Sequence, residues 1–248
     1  MKTYGLIGYP LSHSFSKKYF TKKFEDQGIS DCQYLNFPID NIGKLENIIS
    51  DNAELVGLNV TIPYKEQVIS YLDELDTVAQ KIGAVNTIKI NRIDNGILLK
   101  GFNTDAYGFF HSIKPFIKKK HDSALILGTG GASKAIAYIF DEMGINYMYV
   151  SRTPKDKNHI SYADLCGPVL YNFLIIVNTS PLGMYPAVET LPDIPYDFIT
   201  KEHILYDLIY NPEETIFLKK GKEKGATTIN GLKMLHMQAE RAWEIWND

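Results

Sequence analysis

Apolar and polar positions follow two rhythms along this chain. Short apolar runs of strand length recur at "YGLIGY" (residues 4–9), "CQYLNFPI" and "LVGLNVTI", and between them apolar residues return every three or four positions. That spacing predicts a helix from Ser16 to Gly28, closed by the glycine, and another over "NIGKLENIIS". A third helix is expected through "KEQVISYLD", opened with the help of Pro63. "AVNTIKIN" and "GILLKGFN" flank the turn residues "RIDNG", where the alternation stops, and so predict a hairpin. A helical stretch runs from Asp105 to about Lys120, and then the organisation restarts. "SALILGTGGASKAIAYIFDEMG" reads as strand, glycine turn and helix, and "NYMYVSR" as the next strand. The closing "NGLKMLHMQAERAWEIW" has helical spacing, with Leu235 and Gln238 on neighbouring faces of one helix. Alternating strands and helices predict an α/β chain, with a second α/β unit beginning near residue 122 and a helix bridging the break.

Composition narrows the partners. A chain of 248 residues with 45% hydrophobic content can bury a large core, as one sizeable domain or two smaller ones. The formal net charge of -3 calls for neither nucleic acid nor an acidic membrane. The only concentrated basic run, Lys118 to Lys120 with Lys114 nearby, lacks the interleaved aromatics of a nucleic-acid groove and is expected to be a solvated helix end. No segment approaches about 18 continuous apolar residues, and "MKTYGLIGYPLSHS" is too interrupted for a signal peptide. Cys32 and Cys166 form no metal-like spacing, which points to a reducing, cytoplasmic compartment and to no metal site.

The strongest local chemical signal is "LILGTGGASKA". Gly128, Gly130, Gly131 and Ala132 follow a buried-looking strand and open a helix, where backbone N–H groups can hold a pyrophosphate. The pattern departs from the usual G-x-G-x-x-G because Ser133 takes the third small position, and a tight turn without a ligand would look similar. Nicotinamide-binding folds place an acid about 20 residues later to bind the ribose 2′-hydroxyl. Here the strand tip reads "SRTPK", so Arg152 and Lys155 stand where the acid would be, and positive charge there suits the 2′-phosphate of NADP.

The first half carries polar residues at strand ends. "GYPLSHSFS" sets Ser12, His13, Ser14 and Ser16 after the first strand, where hydroxyls could hold a carboxylate or a polyol, or one serine could simply cap the next helix. "GLNVTIPYKE" delivers Thr61 and Lys65 after another strand, and "GAVNT" and "GFNTDAYG" supply Asn86, Asn103, Thr104 and Asp105. An asparagine at an apolar strand end needs partners for its amide, either a ligand or a backbone loop.

These segments, with the glycine turn and "NGLKMLHMQAERAWEIW", resemble the shikimate dehydrogenase family over residues 4–246. The resemblance implies an N-terminal α/β substrate domain, residues 1–105 completed by 232–248, and a Rossmann-type NADP-binding domain, residues 106–231, with the last helix returning to the substrate domain. It implies NADP-dependent reduction of 3-dehydroshikimate to shikimate in aromatic amino-acid biosynthesis, by a monomer or homodimer. The family's catalytic pair falls on Lys65 and Asp105, and its substrate contacts on Ser14, Ser16, Thr61, Asn86, Tyr210 and Gln238. Its cofactor contacts fall on the glycine turn, on Ser151, Arg152 and Thr153, and on Gly231 and Met234. The chemistry agrees: hydride reaching a ketone leaves an alkoxide that must be protonated, and a lysine held by a carboxylate can supply that proton.

Two departures stand out. The stretch after "SRTP" is short for the helix that usually follows the second Rossmann strand, so a loop is expected there. The chain ends at Asp248 without the family's further C-terminal helix, which predicts more exposed apolar surface or cover by another subunit. Two other readings compete: a quinate or polyol dehydrogenase using NAD, and a nucleotide-sensing protein that has lost catalysis, against which the retention of Lys65 and Asp105 argues.

Overall fold

The computed structural model describes residues 1–11, 15–94 and 96–248. Two compact units emerge, Met1–Thr104 with Ala239–Asp248, and Asp105–Gln238. The sequence boundaries at 105 and 232 differ from this division in two ways. Asp105 belongs to the second unit, and the later division falls inside the last helix, after Gln238.

In the first unit the order is β1 (Lys2–Gly8), α1 (Phe15–Asp26), β2 (Cys32–Pro38), α2 (Leu45–Asp51), β3 (Leu55–Val60), β4 (Glu74–Leu75), α3 (Thr77–Ile82), β5 (Thr87–Ile93) and β6 (Gly96–Phe102). These strands form one sheet in the order β2-β1-β3-β5-β6-β4. Strands β1, β2 and β3 run parallel, and β5 and β6 form the expected antiparallel hairpin. Because successive side chains leave a strand on opposite faces, β1 buries Tyr4 and Leu6 in one cluster and Ile7 in another. The Tyr4 cluster also takes Phe20 and Phe24 from α1 and Ala239, Ala242, Ile245 and Trp246 from the last helix, α8 (Leu232–Asn247). Trp246 locks that helix in place: its ring lies over Gly57, where a Cβ would come within 2.4 Å of it, and its Nε1 donates to the Ile88 carbonyl at 2.9 Å. With Ile245 and Trp246 buried, these apolar residues of the chain's last turns are covered within the unit. Removing a ring buried this deeply costs about 3–5 kcal/mol.

Two local expectations give way, and one helix appears that the spacing does not predict. "KEQVISYLD" forms only a 3₁₀ turn, Gln67–Tyr71, and not an α-helix. The next helix is α3, capped by the Asp76 side chain accepting from the Val78 and Ala79 amides and closed by Gly83 at φ 69°. The helical stretch from 105 is α4 (Thr104–Ile113), which gives way to a 3₁₀ turn containing Pro115 and does not reach Lys120.

The second unit continues with β7 (Ser123–Leu127), α5 (Gly131–Glu142), β8 (Asn146–Val150), β9 (His159–Ile160), α6 (Gly167–Asn172), β10 (Ile175–Asn178), β11 (Ile204–Asp207), α7 (Ile216–Glu223) and β12 (Thr227–Ile229). All six strands are parallel, in the order β12-β11-β10-β7-β8-β9. The first strand of the unit is therefore central, and the chain reverses direction across the sheet between β7 and β10. That reversal leaves a crevice at the carboxyl ends of the strands, the place where such sheets bind dinucleotides. Ser151 to Asn158 connect β8 to β9 without a helix, but the rest of the stretch is not a plain loop: a 3₁₀ turn, Tyr162–Asp164, and the short α6 precede β10.

Candidate active site

In the first unit the sequence-picked residues cluster at the ends of β1, β3 and β5. Thr61 leaves β3 and donates its N–H to the Ile7 carbonyl at 3.0 Å, while the Val60 N–H donates to the Asn86 carbonyl at 2.8 Å. The Lys65 carbonyl accepts from the Val85 N–H at 2.7 Å, so a backbone hydrogen bond anchors the lysine, and the residue is half-buried. Asn86 is 2% exposed; its Oδ1 accepts the Thr104 N–H at 2.7 Å, and its Nδ2 donates to Thr104 Oγ1 at 3.0 Å. Part of the amide's hydrogen bonding is thus met by an N–H that the start of α4 would otherwise leave unsatisfied. Asn103 donates to the Ala84 carbonyl at 2.9 Å.

Two further residues complete this arrangement. The Ser16 side chain hydrogen-bonds the Tyr34 hydroxyl, and Tyr34 donates to Asn59 Oδ1 at 2.7 Å. Asn59 Nδ2 donates to the Asn86 carbonyl at 3.3 Å and to Thr87 Oγ1 at 3.2 Å, and Thr87 Oγ1 lies 3.3 Å from Thr104 Oγ1. A continuous buried chain therefore links Ser16 to Asn86 and Thr104 across β2, β3 and β5. Burial raises the Tyr34 hydroxyl far above the ordinary tyrosine range, so it remains a neutral donor. Tyr34 and Asn59 escape sequence inspection, because a tyrosine and an asparagine 25 residues apart become partners only through strand register. Ser14, with Ser12 and His13, lies outside the described residues.

The remaining sequence-picked residues belong to the second unit. Asp105, 6% exposed, sits in the first turn of α4, where the helix dipole favours a carboxylate. Gly128 follows β7 at φ 118°, a backbone state that suits glycine, and a Cβ there would come 2.8 Å from Thr179 Oγ1. Gly130 caps α5 in extended conformation, and a Cβ on it would meet nothing within 4 Å. Gly131 and Ala132 open the helix, and the fully buried Ser133 donates its hydroxyl to the Gly130 carbonyl at 2.6 Å. The serine thus satisfies itself locally and leaves the turn open above Gly130. Beside it, the Gly128 N–H donates to the Val150 carbonyl at 3.0 Å, which brings the β8 tip next to the turn. Ser151 is half-buried, with its hydroxyl accepting the Thr153 N–H at 3.2 Å, and Arg152 and Thr153 are exposed. The open glycine turn, the α5 N-terminus and an exposed guanidinium fit a dinucleotide bearing an extra phosphate.

On the other side of β7, the Gly231 N–H donates to the Ile209 carbonyl at 3.0 Å. Gly231 and Met234 are buried, and Tyr210 and Gln238 are half-buried. The structure therefore forms three groups: Ser16, Thr61, Lys65 and Asn86 in the first unit; the glycine turn with Ser151 to Thr153 in the second; and Tyr210 with Gly231 and Met234, also in the second. Among the described residues no cluster of three His, Cys, Asp or Glu side chains could hold a metal.

Residues 6–88 match the model of the shikimate dehydrogenase substrate binding domain. The shikimate dehydrogenase (NADP(+)) of Methanosphaera stadtmanae is 39% identical, in an alignment covering 98% of this chain and 90% of the relative. The chain belongs to the shikimate dehydrogenase family. The family's solved structures share the fold over the whole chain. Shikimate dehydrogenase 1 from Peptoclostridium difficile has a TM-score of 0.84 at 40% identity, covering 100% of this chain and 92% of that one. The Thermus thermophilus enzyme, solved in complex with NADP(H) and shikimate, has a TM-score of 0.84 at 28% identity, covering 99% and 93%. The family architecture, an N-terminal substrate domain followed by a Rossmann domain, is the one described above, with α8 returning to the first core.

Proposed function

We propose that this chain catalyses the reversible NADP-dependent reduction of 3-dehydroshikimate to shikimate, a step of aromatic amino-acid biosynthesis, and that it does so in the cytoplasm. The observation that carries the reading is near-full-length similarity to NADP-dependent shikimate dehydrogenases, joined to polar residues pinned at the ends of β1, β3 and β5. When bound, NADPH supplies the hydride. The chain supplies the rest. The Lys65 ammonium donates a proton to the ketone oxygen as it gains negative charge, and takes one back from the hydroxyl in the reverse direction. The Asp105 carboxylate orients the ammonium and accepts from a neighbouring substrate hydroxyl. Ser14 and Ser16 hold the substrate carboxylate, and Thr61, Asn86, Tyr210 and Gln238 contact the ring and its hydroxyls. Gly128, Gly130, Gly131 and Ala132 cradle the pyrophosphate. Ser151, Arg152 and Thr153 hold the 2′-phosphate, and Gly231 and Met234 lie beside the nicotinamide.

The support for Ser16 and Asn86 acting together is their shared hydrogen-bond chain, which fixes both relative to one sheet. Assaying NADP reduction with shikimate and quinate in parallel tests the reading. Turnover of shikimate well above quinate is expected, and quinate turnover with NAD in its place would overturn it.

A further inference from the structure

At the carboxyl end of β11, inside the second unit, a buried carboxylate takes no part in the proposed chemistry. Asp207 is 0% exposed. Its Oδ1 accepts from Asn178 Nδ2 at 3.0 Å and from the Ile209 N–H at 3.1 Å, and its Oδ2 from Thr215 Oγ1 at 2.6 Å. Each donor belongs to a different segment. Asn178 ends β10 and organises the turn that follows: its Nδ2 also donates to the Leu182 carbonyl at 3.2 Å, and its Oδ1 accepts from the Ser180 amide at 3.1 Å and hydroxyl at 2.7 Å. Ile209 passes the constraint on, since its carbonyl accepts the Gly231 N–H at 3.0 Å. Gly231 fits so closely that a Cβ there would lie 2.0 Å from the Leu208 carbonyl oxygen. Thr215 caps α7 by accepting the Leu218 N–H at 3.4 Å.

The hub sits beside the strand-order reversal of the sheet. A dinucleotide crosses the sheet where the strand order reverses, here between β7 and β10. With the adenosine end drawn to Arg152 at the β8 tip, the other half of a bound dinucleotide would lie over β10 and β11. The segments there, Ser180 to Leu182 and the stretch after Ile209, lie outside regular strands near the crevice and need an internal brace to hold one conformation. We propose that Asp207 is a positioning residue that fixes the segments after β10 and β11 under the nicotinamide half of NADP. This rests on the cofactor reading given above. Burial pushes the Asp207 carboxyl up to about 6, against the opposing pull of its three hydrogen bonds. A group this costly to bury is consistent with a bracing role.

The test compares affinities for NADP and for 2′,5′-ADP, which carries only the adenosine half with its extra phosphate. Asp207→Ala should weaken NADP binding about tenfold or more, the usual cost of unpairing a buried hydrogen-bonded group, and leave 2′,5′-ADP binding nearly unchanged. Asp207→Asn should restore both affinities, because its carbonyl oxygen keeps the bonds from Asn178 and Ile209 and its amide can donate to Thr215. Equal affinities in wild type and a folded Asp207→Ala, or equal losses for both ligands, would overturn the assignment. If Asp207→Ala does not accumulate as folded protein, Asn178→Ala must show the same selective loss, and its absence would overturn the assignment equally. A wild type that binds 2′,5′-ADP no better than 5′-AMP would instead refute the NADP reading, and the role of Asp207 with it.

Discussion

The two units each carry a buried polar network beneath their proposed ligand, and the networks are built on opposite principles. Under the substrate residues the chain from Ser16 through Tyr34, Asn59 and Thr87 to Asn86 and Thr104 uses only hydroxyls and amides. Under the cofactor residues the hub is a carboxylate, Asp207, held by neutral donors. A neutral chain positions groups without a charge to desolvate, and its strength does not vary with pH near neutrality. A buried carboxylate accepts from three directions at once, which no single hydroxyl can match, but it carries a desolvation cost and a protonation equilibrium. The first arrangement suits a strand-to-strand span relayed from one group to the next; the second suits a junction where three chain segments meet.

Substitutions can separate the two. The largest effect is expected at the chemistry itself: Lys65→Ala should lower kcat by about two to four orders of magnitude, as for loss of a general acid, with a smaller change in shikimate affinity. Asp105→Asn should also cripple turnover. Near wild-type kcat in either variant would remove Lys65 and Asp105 from the proton transfer.

Next comes the pH dependence of stability. The folded Asp207 carboxyl lies at about 6, above the ordinary unfolded value of about 3.9. Its contribution is therefore fully present below about pH 4 and is lost as pH rises through about 6, since the folded state binds the proton more tightly. Two pKa units correspond to about 3 kcal/mol. Denaturant titrations of wild type and Asp207→Asn should therefore diverge: the wild type should lose about 3 kcal/mol relative to the variant between about pH 4 and 7. Parallel curves would mean that the carboxyl does not titrate in this range.

A charge-assisted bond from Arg152 to a 2′-phosphate is worth about 1.5–3 kcal/mol, or about one to two decades. The wild type should prefer NADP over NAD by at least about tenfold in kcat/KM, and Arg152→Ala should lose most of that preference. Arg152 is exposed and the β8–β9 connection is a loop, so added salt should erode the preference. Equal use of NAD and NADP by the wild type would defeat the charge argument.

The smallest effect belongs to the neutral chain. Tyr34→Phe removes the donor to Asn59 and the partner of Ser16, and should cost about 1 kcal/mol. Shikimate KM should rise several-fold, by about the same factor at pH 6 and at pH 8, with NADP affinity unchanged. A change in NADP affinity alone would place this network under the wrong ligand.

Much of the fold was legible from pattern. Apolar runs marked β1, β2 and β3, turn residues marked the β5–β6 hairpin, and the glycine turn marked β7 and the start of α5. Helix α3 carries its signals, Asp76 as cap and Gly83 as closure, but its six residues offer too little apolar repeat for the pattern to reveal it. Residues 65–73 show the reverse: apolar residues at helical spacing there form only a 3₁₀ turn. Pro115 in α4's exit was a readable stop signal that the longer helical pattern concealed.

What the residues alone establish here is chemistry at a point: a glycine turn between a strand and a helix at 128–131, an arginine in place of an acid at 152, and a lysine delivered after a strand at 65. Each follows from local backbone geometry and charge, which a few neighbouring residues control. The partners of Asn86, the Tyr34–Asn59 bond and the convergence of Asn178, Ile209 and Thr215 on Asp207 depend on register and crossover order, which bring together residues 25, 29 and 8 positions apart in the chain. Those pairings arise because a buried polar group must find a partner wherever the packed sheet presents one, and only folding determines which groups are near enough to serve.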